Sequence, residues 1–138
     1  MCTFCRIIKG ELPASVVYED EVVLAFLDIH PITPGHVLVI PKFHTESLVD
    51  LPVPDAEHMM RVGQRVDAAL RASGLRCEGV NLFLADGKAA GQEIEHVHLH
   101  VFPRFMGDGY RLRFIPNLGD KVPRHVLEEQ AAKIRAAM

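Results

Sequence analysis

Histidines at alternate positions are the feature of this sequence that most restricts its fold. The stretch HVHLHV, residues 96–101, alternates three histidines with three aliphatic residues. Successive side chains of a β-strand point to opposite faces, whereas positions two apart on a helix do not face each other. The spacing therefore predicts a strand with His96, His98 and His100 on one face and aliphatic side chains on the other.

Composition limits what kind of protein carries this strand. The chain has 138 residues, 49% hydrophobic and 24% charged, which indicates one globular domain over residues 1–138 with a core of its own. The net charge of -3 leaves no basic stripe, so we expect no nucleic-acid partner. There is no apolar run long enough to span a bilayer and no signal-peptide pattern, so we predict a cytoplasmic protein without a membrane partner.

Periodicity predicts an α+β domain. Apolar residues recur at helical spacing from Asp55, a predicted N-cap, to Gly74, which ends one long helix. The sequence also predicts helices at the two ends of the chain, over residues 4–11 and 124–138. Strands of an antiparallel sheet are expected in the histidine segment and at residues 15–20, 22–28, 36–41 and 79–87.

The loop before the histidines predicts an anion site. DGKAAGQE, residues 86–93, has two glycines and two alanines, so its backbone can approach a ligand and present N–H groups to a phosphate. By itself, a glycine-bearing segment between strands is an ordinary turn. Neutral imidazole is a competent nucleophile toward phosphorus, so we interpret the loop and the histidine strand as one site.

These motifs together resemble those of the histidine triad (HIT) family of nucleotide hydrolases and transferases, in particular bacterial-type histidine triad nucleotide-binding proteins. The resemblance rests on HVHLHV followed by PR, on DGKAAGQ, and on the upstream segments GHVLVIPK and CTFCRIIKGELPASVVYEDE. It covers residues 2–104, and the C-terminal tail, residues 105–138, shares little with the family. It implies a five-stranded antiparallel sheet with one long helix and short terminal helices, in a homodimer whose sheets join into ten strands.

The resemblance implies catalytic roles for individual residues. His98 matches the nucleophile that attacks the α-phosphorus and becomes nucleotidylated, after which water releases the nucleoside monophosphate. His100 matches a contact to the α-phosphate, and His36 matches a fourth histidine beside the nucleophile. We expect a backbone carbonyl near His98, because a hydrogen bond to one ring nitrogen leaves a lone pair on the other. No catalytic cofactor is implied.

The resemblance also implies a nucleotide pocket. Asp28 aligns with the acidic residue that bonds the ribose hydroxyls, and Leu27 belongs to the same pocket. Backbone groups of Gly91 and Gln92 would cradle the phosphate, and the Gln92 amide would reach the bridging or leaving atom. We expect the ligand to be a purine nucleotide of the adenosine type.

Two positions depart from the family pattern. Relatives usually carry Asn or Gln where this chain has Ala85, so a side-chain contact on the phosphate side is absent. Several phosphoramidate-cleaving members carry a serine where this chain has Glu93. An ionised carboxylate there would repel a polyphosphate, whereas a neutral acid would protonate a leaving group. Both positions bear on the choice among phosphoramidates, adenylates and dinucleoside polyphosphates.

The cysteines form a second motif. Cys2 and Cys5 make a CxxC pair in a chain without an export signal, which favours metal binding or burial over a disulfide. The resemblance implies that His44, after PK, and His96 complete a zinc site. Four protein ligands would make this zinc structural. The alternative is an unliganded pair at a frayed terminus.

Three functions remain open from the sequence. The first is hydrolysis of a nucleoside 5′-monophosphate ester or amide through His98. The second is a non-catalytic protein that binds a nucleotide or a partner, and the third treats the alternate histidines as ligands of one metal ion. Outside these motifs, we expect His30, His58 and His125 to be solvated surface residues. Lys42 and Arg104 flank the predicted pocket, and the sequence leaves open whether they attract phosphate or are solvated cations at strand ends.

Overall fold

The computed structural model describes residues 2–110 and 119–138, so residues 111–118 of the predicted tail lie outside the described residues. Five strands form one antiparallel sheet in the order β1-β2-β3-β5-β4. The strands are β1 Val16–Glu19, β2 Val23–Leu27, β3 Val37–Pro41, β4 Gly79–Phe83 and β5 Leu99–Arg104. The helices are α1 Thr3–Ile8, α2 Val53–Ala72 and α3 Arg124–Ala137, with 3₁₀ turns at Leu48–Asp50 and Lys88–Ala90. The predicted α+β class, with a five-stranded antiparallel sheet and one long helix, is confirmed.

The sheet lies between two apolar layers. On one face, α2 contributes Val62 and Val66 to a buried cluster with alternate residues of β2, β3 and β5. On the other face, Phe4 of α1 packs with Phe26 and Ile40. The first four residues of β2 and all of β3 are buried, as expected for strands covered on both sides.

The long helix begins earlier than predicted. Its first residue is Val53, and Asp55 lies inside the first turn rather than at the N-cap. Pro54 is the second helical residue, where the missing N–H costs no intrahelical hydrogen bond, so the helix extends through it. The helix ends at Ala72, two residues before the left-handed Gly74 (φ 84°), close to the predicted end.

The strand that carries the histidines is shorter than the alternating motif. The ladder between β3 and β5 ends at the pair of Val39 and Leu99. Two residues beyond Val39 on β3, Pro41 has no N–H with which to continue the ladder. The alternation of side chains nevertheless persists, because Val97 packs with Leu99 in the layer beneath α2. The histidines are therefore directed to the opposite face, as predicted.

One surface expectation needs correction. His58 is not simply solvated: its Nε2 lies 2.5 Å from Asp20 Oδ2, while the other oxygen of Asp20 accepts the N–H of Val22 at 2.8 Å. This contact ties α2 to the turn between β1 and β2. The C-terminal helix α3 has 14 residues, which agrees with the helix predicted over residues 124–138, and none of its residues is buried.

Among residues 2–110 and 119–138, none of the helices has the length and apolar character that a membrane span requires.

Candidate functional site

A cavity of about 720 Å³ opens on the face of the sheet opposite α2. Its walls come from α1 and the segment after it, from the connection between β2 and β3, and from β5 with its preceding loop. The residues predicted for the nucleotide site that line it are Leu27, Asp28, His36, Gly91, His98 and His100. Gln92 is absent from the described residues that line the cavity. The chain thus brings most of the predicted site together from segments far apart in sequence.

His98 presents a free lone pair at the cavity wall. Its side chain is buried, and its Nδ1 lies 2.7 Å from the carbonyl oxygen of His96, which is the carbonyl expected from the sequence. Because a carbonyl only accepts, Nδ1 carries the proton and Nε2 keeps its lone pair. Nε2 has no hydrogen-bond partner among the described residues. This arrangement suits a nucleophile.

Phe4 supports His98 and was not predicted from the sequence. Its ring meets the His98 ring edge-on with centroids 5.3 Å apart, and it meets the His96 ring in the same way at 5.9 Å. It also lines the cavity. Its position inside the CxxC motif, between two predicted metal ligands, is the signal that would have marked it. Phe4 therefore connects α1 to both histidines.

A chain of hydrogen bonds fixes the protons of His36 and His100. The backbone N–H of Ile32 donates to His36 Nδ1 at 3.0 Å, so a neutral His36 carries its proton on Nε2. His36 Nε2 lies 2.9 Å from His100 Nδ1 and donates to it. A neutral His100 must then carry its proton on Nε2. The second ring nitrogen of His100 is thus a hydrogen-bond donor.

Both rings are neutral at neutral pH. Burial lowers the pKa of His36, although the nearby carboxylate of Asp28 acts in the opposite direction. Burial lowers the pKa of His100 to about 4, and the neighbouring His98 and His36 add to the shift. His100 therefore acts as a neutral donor rather than as a cation.

Asp28 is held in a turn beside these rings. Its Oδ1 accepts the backbone N–H of His30 at 2.8 Å, and its Oδ2 lies 3.7 Å from His36 Nε2. Ligand-type atoms of Asp28, His36 and His100 lie within 4.8 Å of one another, as a metal interpretation of the histidines would require. The proton assignment opposes that interpretation, because His36 directs an N–H rather than a lone pair at the group.

The side chain of Gln92 closes the loop before the histidines. Its Oε1 accepts the N–H of Gly87 at 2.7 Å, and its Nε2 donates to the carbonyls of Glu46 at 2.8 Å and Ile94 at 3.0 Å. The amide thus uses its acceptor and both donors within the protein. In this arrangement it holds the loop in place and is not free to reach a leaving atom.

The backbone of the same loop offers a different donor from those expected. The N–H of Gly91 donates to the carbonyl of Lys88 at 3.0 Å, and the N–H of Gln92 donates to that of Gly87 at 3.2 Å. Glu93, the next residue, lines the cavity, and its N–H has no acceptor among the described residues. The Glu93 N–H is therefore available to an anion.

Two cysteines and two histidines converge beside α1. Cys2 caps α1 by accepting the N–H of Cys5 at 3.3 Å, which turns both thiols to the same side. The Sγ atoms of these cysteines and the Nδ1 atoms of His44 and His96 lie 3.2 to 3.7 Å apart. The structure thus brings together all four predicted metal ligands, which opposes the alternative of a frayed terminus.

The donor set fits a tetrahedral zinc ion. Zinc bonds of the usual length in a tetrahedron separate the donor atoms by about 3.3–3.8 Å, close to the separations found here. His96 is fully buried, and its Nε2 donates to the carbonyl of Pro41 at 2.8 Å. That hydrogen bond leaves the lone pair on Nδ1, the nitrogen that faces the cysteines.

The family of the protein follows from comparison with known proteins. The family model described as the HIT domain matches residues 9–107. The chain belongs to the HIT family. It is 49% identical over 110 residues to an uncharacterized HIT-like protein of Borreliella burgdorferi, with 79% of each chain covered.

Two relatives carry the names of enzymes. The chain is 38% identical over 103 residues to adenosine 5'-monophosphoramidase HNT1 of Saccharomyces cerevisiae, covering 75% of this chain and 62% of the relative. It is 40% identical over 104 residues to adenylylsulfatase HINT3 of Arabidopsis thaliana, covering 75% of this chain and 52% of the relative.

Solved structures match nearly the whole chain. A member of the HIT family from Bacillus subtilis superposes with a TM-score of 0.88 at 36% identity, covering 99% of this chain and 96% of the other. A zinc-bound histidine triad family protein from Mycobacterium smegmatis matches with a TM-score of 0.77 at 44% identity, covering 99% and 97%. The architecture is therefore the HIT fold.

The metal cluster generates a first prediction. Protein purified without added metal should contain about one zinc ion per chain, and Cys5→Ser should lose that zinc together with several degrees of Tm, because the binding energy of a structural metal is folding energy. Elemental analysis and thermal unfolding measure both effects. Cys77 is the one cysteine outside the cluster, so Cys77→Ser should change neither the zinc content nor Tm. Full stability of a metal-free wild-type protein would contradict the zinc site.

The lowered pKa of His100 generates a second prediction. Between pH 6.5 and about 4 the unfolded chain binds a proton at this residue and the folded chain does not, so the free energy of unfolding falls as the pH falls. The difference in that free energy between wild type and His100→Asn should therefore shrink from pH 7 to pH 4, as measured by urea unfolding. His125→Asn, on the exposed helix α3, should keep the pH dependence of wild type. Parallel curves for wild type and His100→Asn would refute the assignment.

Proposed function

We propose that this protein is a nucleotide hydrolase that releases a nucleoside 5′-monophosphate through a nucleotidyl intermediate on His98. The observation that carries the proposal is the hydrogen bond of 2.7 Å between His98 Nδ1 and the His96 carbonyl oxygen, because it leaves the Nε2 lone pair at the wall of a cavity. Two relatives named adenosine 5'-monophosphoramidase and adenylylsulfatase support a reaction at an adenylyl phosphorus.

The proposed reaction has two displacements at the α-phosphorus. In the first, the Nε2 lone pair of His98 forms a bond to phosphorus while the bond to the leaving nitrogen or oxygen breaks, and the leaving group takes up a proton from solvent. In the second, water attacks the same phosphorus, the bond to His98 breaks, and the proton lost by the water passes to solvent. The hydrogen bond from Nδ1 to the His96 carbonyl stabilises the positive charge that the ring carries between these steps.

Neutral donors would stabilise the phosphate oxygens during both steps. His100, whose proton is placed on Nε2 by the hydrogen bond from His36, offers one donor, and the N–H of Glu93 offers another. Fixed donors in a partly buried cavity interact strongly with developing charge, because little water is present to screen them. His36 acts through His100 and is a positioning residue.

The remaining walls suit a nucleoside. Asp28 has one carboxylate oxygen engaged by the His30 N–H, which leaves the other for the ribose hydroxyls. Apolar side chains such as Phe4 and Phe26 line the same cavity and provide a surface for a purine base. We propose an adenosine-type nucleotide as the ligand, contacted by Leu27, Asp28, Gly91, His98 and His100, with Gln92 holding the phosphate loop.

The choice of leaving group follows from two residues near the phosphate site. Ala85 is buried and offers no polar side chain, and Glu93 is among the residues that line the cavity. Because an ionised carboxylate at this position would repel a polyphosphate, we propose a phosphoramidate or an adenylate as a better substrate than a dinucleoside polyphosphate.

Zinc at Cys2, Cys5, His44 and His96 is proposed as a structural ion, by analogy with the zinc-bound Mycobacterium smegmatis relative. When bound, it would supply a rigid crosslink between α1 and the segment leading into β5. The residues of α1 then hold Phe4 against His98. The reaction uses no catalytic metal in this proposal.

The mechanism generates a third prediction. Incubation with an adenosine phosphoramidate should produce AMP and a nucleotidyl mass increment on His98, and His98→Ala should lose about a thousandfold or more in turnover while it still binds AMP. His125→Ala, a histidine outside the cavity, should retain full turnover. Asp28→Ala should instead weaken the binding of AMP more than that of 2′,3′-dideoxy AMP. Tight AMP binding without turnover, unchanged by His98→Ala, would favour the non-catalytic binding protein.

We further propose that the protein is a homodimer joined at β4. This strand is at the edge of the sheet, so its outer backbone groups are unpaired within one chain. Leu82 on β4 is 39% exposed, and Met60, one helical turn before Gly63, is 55% exposed. A Cβ on Gly63 would lie 3.6 Å from Leu82 Cδ2, so these apolar side chains lie on the same side of that edge. Pairing of two β4 strands would make the ten-stranded sheet and cover both residues.

The dimer proposal generates a fourth prediction. Sedimentation velocity at micromolar concentration should give a dimer for wild type, and Leu82→Arg should shift it to monomer because two charges would meet at the β4 edge. Val17→Arg places the same charge on β1, the opposite edge, at a position that is 52% exposed against 39% for Leu82, and should leave the dimer intact. A monomeric wild type would refute the proposal.

A further inference from the structure

The turn that follows β5 is built around one buried carboxylate. The side chain of Asp108 is only 5% exposed, and it receives Nε of Arg104 at 2.7 Å and the other guanidinium nitrogen, Nη2, at 3.2 Å. It also accepts the backbone N–H groups of Phe105 at 3.2 Å and Tyr110 at 3.1 Å. Of the two roles that the sequence leaves open for Arg104, that of a solvated strand-end cation is therefore excluded.

The same turn places Tyr110 at the nucleotide cavity. Nη2 of Arg104 donates to the carbonyl of Tyr110 at 2.6 Å, and its guanidinium carbon lies 5.5 Å from the centre of the Tyr110 ring. Gly107 (φ 81°) and Gly109 (φ 75°) supply the left-handed backbone that this tight path requires. Both the backbone N–H and the carbonyl of Tyr110 are therefore fixed by side chains.

Tyr110 also has the properties of a ligand contact. It lines the cavity that contains His98 and Asp28, it is 39% exposed, and its hydroxyl has no hydrogen-bond partner among the described residues. An aromatic ring with an uncommitted hydroxyl offers both a stacking face and a donor. We propose that Tyr110 contacts the bound nucleotide, and that Arg104 and Asp108 position it; this proposal rests on the proposed nucleotide site.

The position of the turn separates Tyr110 from the chemical step. Arg104 is six residues beyond His98, which corresponds to about 20 Å along an extended chain. Arg104 is also anchored to β4 by a hydrogen bond of 2.8 Å to Asn81 Oδ1. Tyr110 is therefore held from the far end of β5 and contacts parts of the ligand other than the reacting phosphorus. Its loss should raise Kd and KM and leave kcat nearly unchanged.

The composition of the chain allows a direct spectroscopic test. The protein has two tyrosines and no tryptophan, so Tyr18→Phe leaves Tyr110 as the sole tyrosine emitter. Tyr18 packs on the α2 side of the sheet, away from the cavity, so Tyr110→Phe provides a matched control with the same absorbance and one emitter outside the site. Both variants are titrated with AMP, and wild type is titrated in parallel by calorimetry.

We expect AMP to quench the fluorescence of Tyr18→Phe with a midpoint equal to the calorimetric Kd. The fluorescence of Tyr110→Phe should fall only by the amount that light absorption by the added AMP explains. Calorimetric binding with identical fluorescence curves in the two variants would overturn the contact while leaving the proposed function intact. Absence of calorimetric binding to wild type would instead overturn the nucleotide site, and this proposal with it.

Two further variants separate contact from positioning. Tyr110→Ala should weaken AMP binding and raise KM by about tenfold with kcat nearly unchanged, because stacking on an aromatic side chain contributes that much to base binding. In the Tyr18→Phe background, Asp108→Asn should weaken both the quenching and the affinity, because the carboxylate is what orders the turn. If Asp108→Asn keeps the wild-type Kd and the full quenching, Arg104 and Asp108 have no positioning role.

Discussion

The hydrogen bond between His96 Nε2 and the carbonyl of Pro41 is the contact on which the cysteine–histidine cluster and the proposed nucleophile, His98, both depend. It directs the Nδ1 lone pair of His96 toward the cysteines. It also fixes the position of His96, whose backbone carbonyl accepts the Nδ1–H of His98. The acceptor is available because β3 ends its ladder at a proline, which leaves a carbonyl near a strand terminus. The fully buried ring of His96 therefore links the end of the β3 ladder to the cysteine–histidine cluster and to His98.

In the proposed function, the cavity binds an anion mainly through neutral groups. Burial keeps His36 and His100 uncharged. Hydrogen bonds to backbone groups fix which ring nitrogen of His36 and of His98 carries the proton. A neutral donor in a partly buried wall binds a phosphate oxygen without the strong ground-state attraction that a fixed positive charge would add. Such a site can stabilise charge as it develops during the reaction, which is the kind of interaction that lowers a barrier.

Periodicity in the sequence correctly predicted the secondary structure and the face of the sheet on which the histidines lie. The five strands, the long helix and the side to which the histidines point follow from periodicity, and the convergence of Cys2, Cys5, His44 and His96 was implied by the family resemblance. The early start of α2 was missed because a proline near a helix start is tolerated, and the shortened β5 was missed because its partner strand decides where pairing ends. Individual side-chain hydrogen bonds were not predicted: the pairing of His58 with Asp20, the closure of the loop by Gln92 and the turn around Asp108 each join residues whose spacing carries no periodic signal.

The hydrogen bonds from Ile32 to His36 and on to His100 begin at a main-chain amide rather than at a side chain. A main-chain N–H can only donate, so the direction in which each proton points along this relay is set by the covalent backbone. Substitution of residue 32 by any amino acid that retains an N–H preserves that direction, and proline alone removes its origin. The chemical polarity of the cavity can therefore stay constant through evolution while the side chain at this position, which also lines the cavity, changes to fit different ligands.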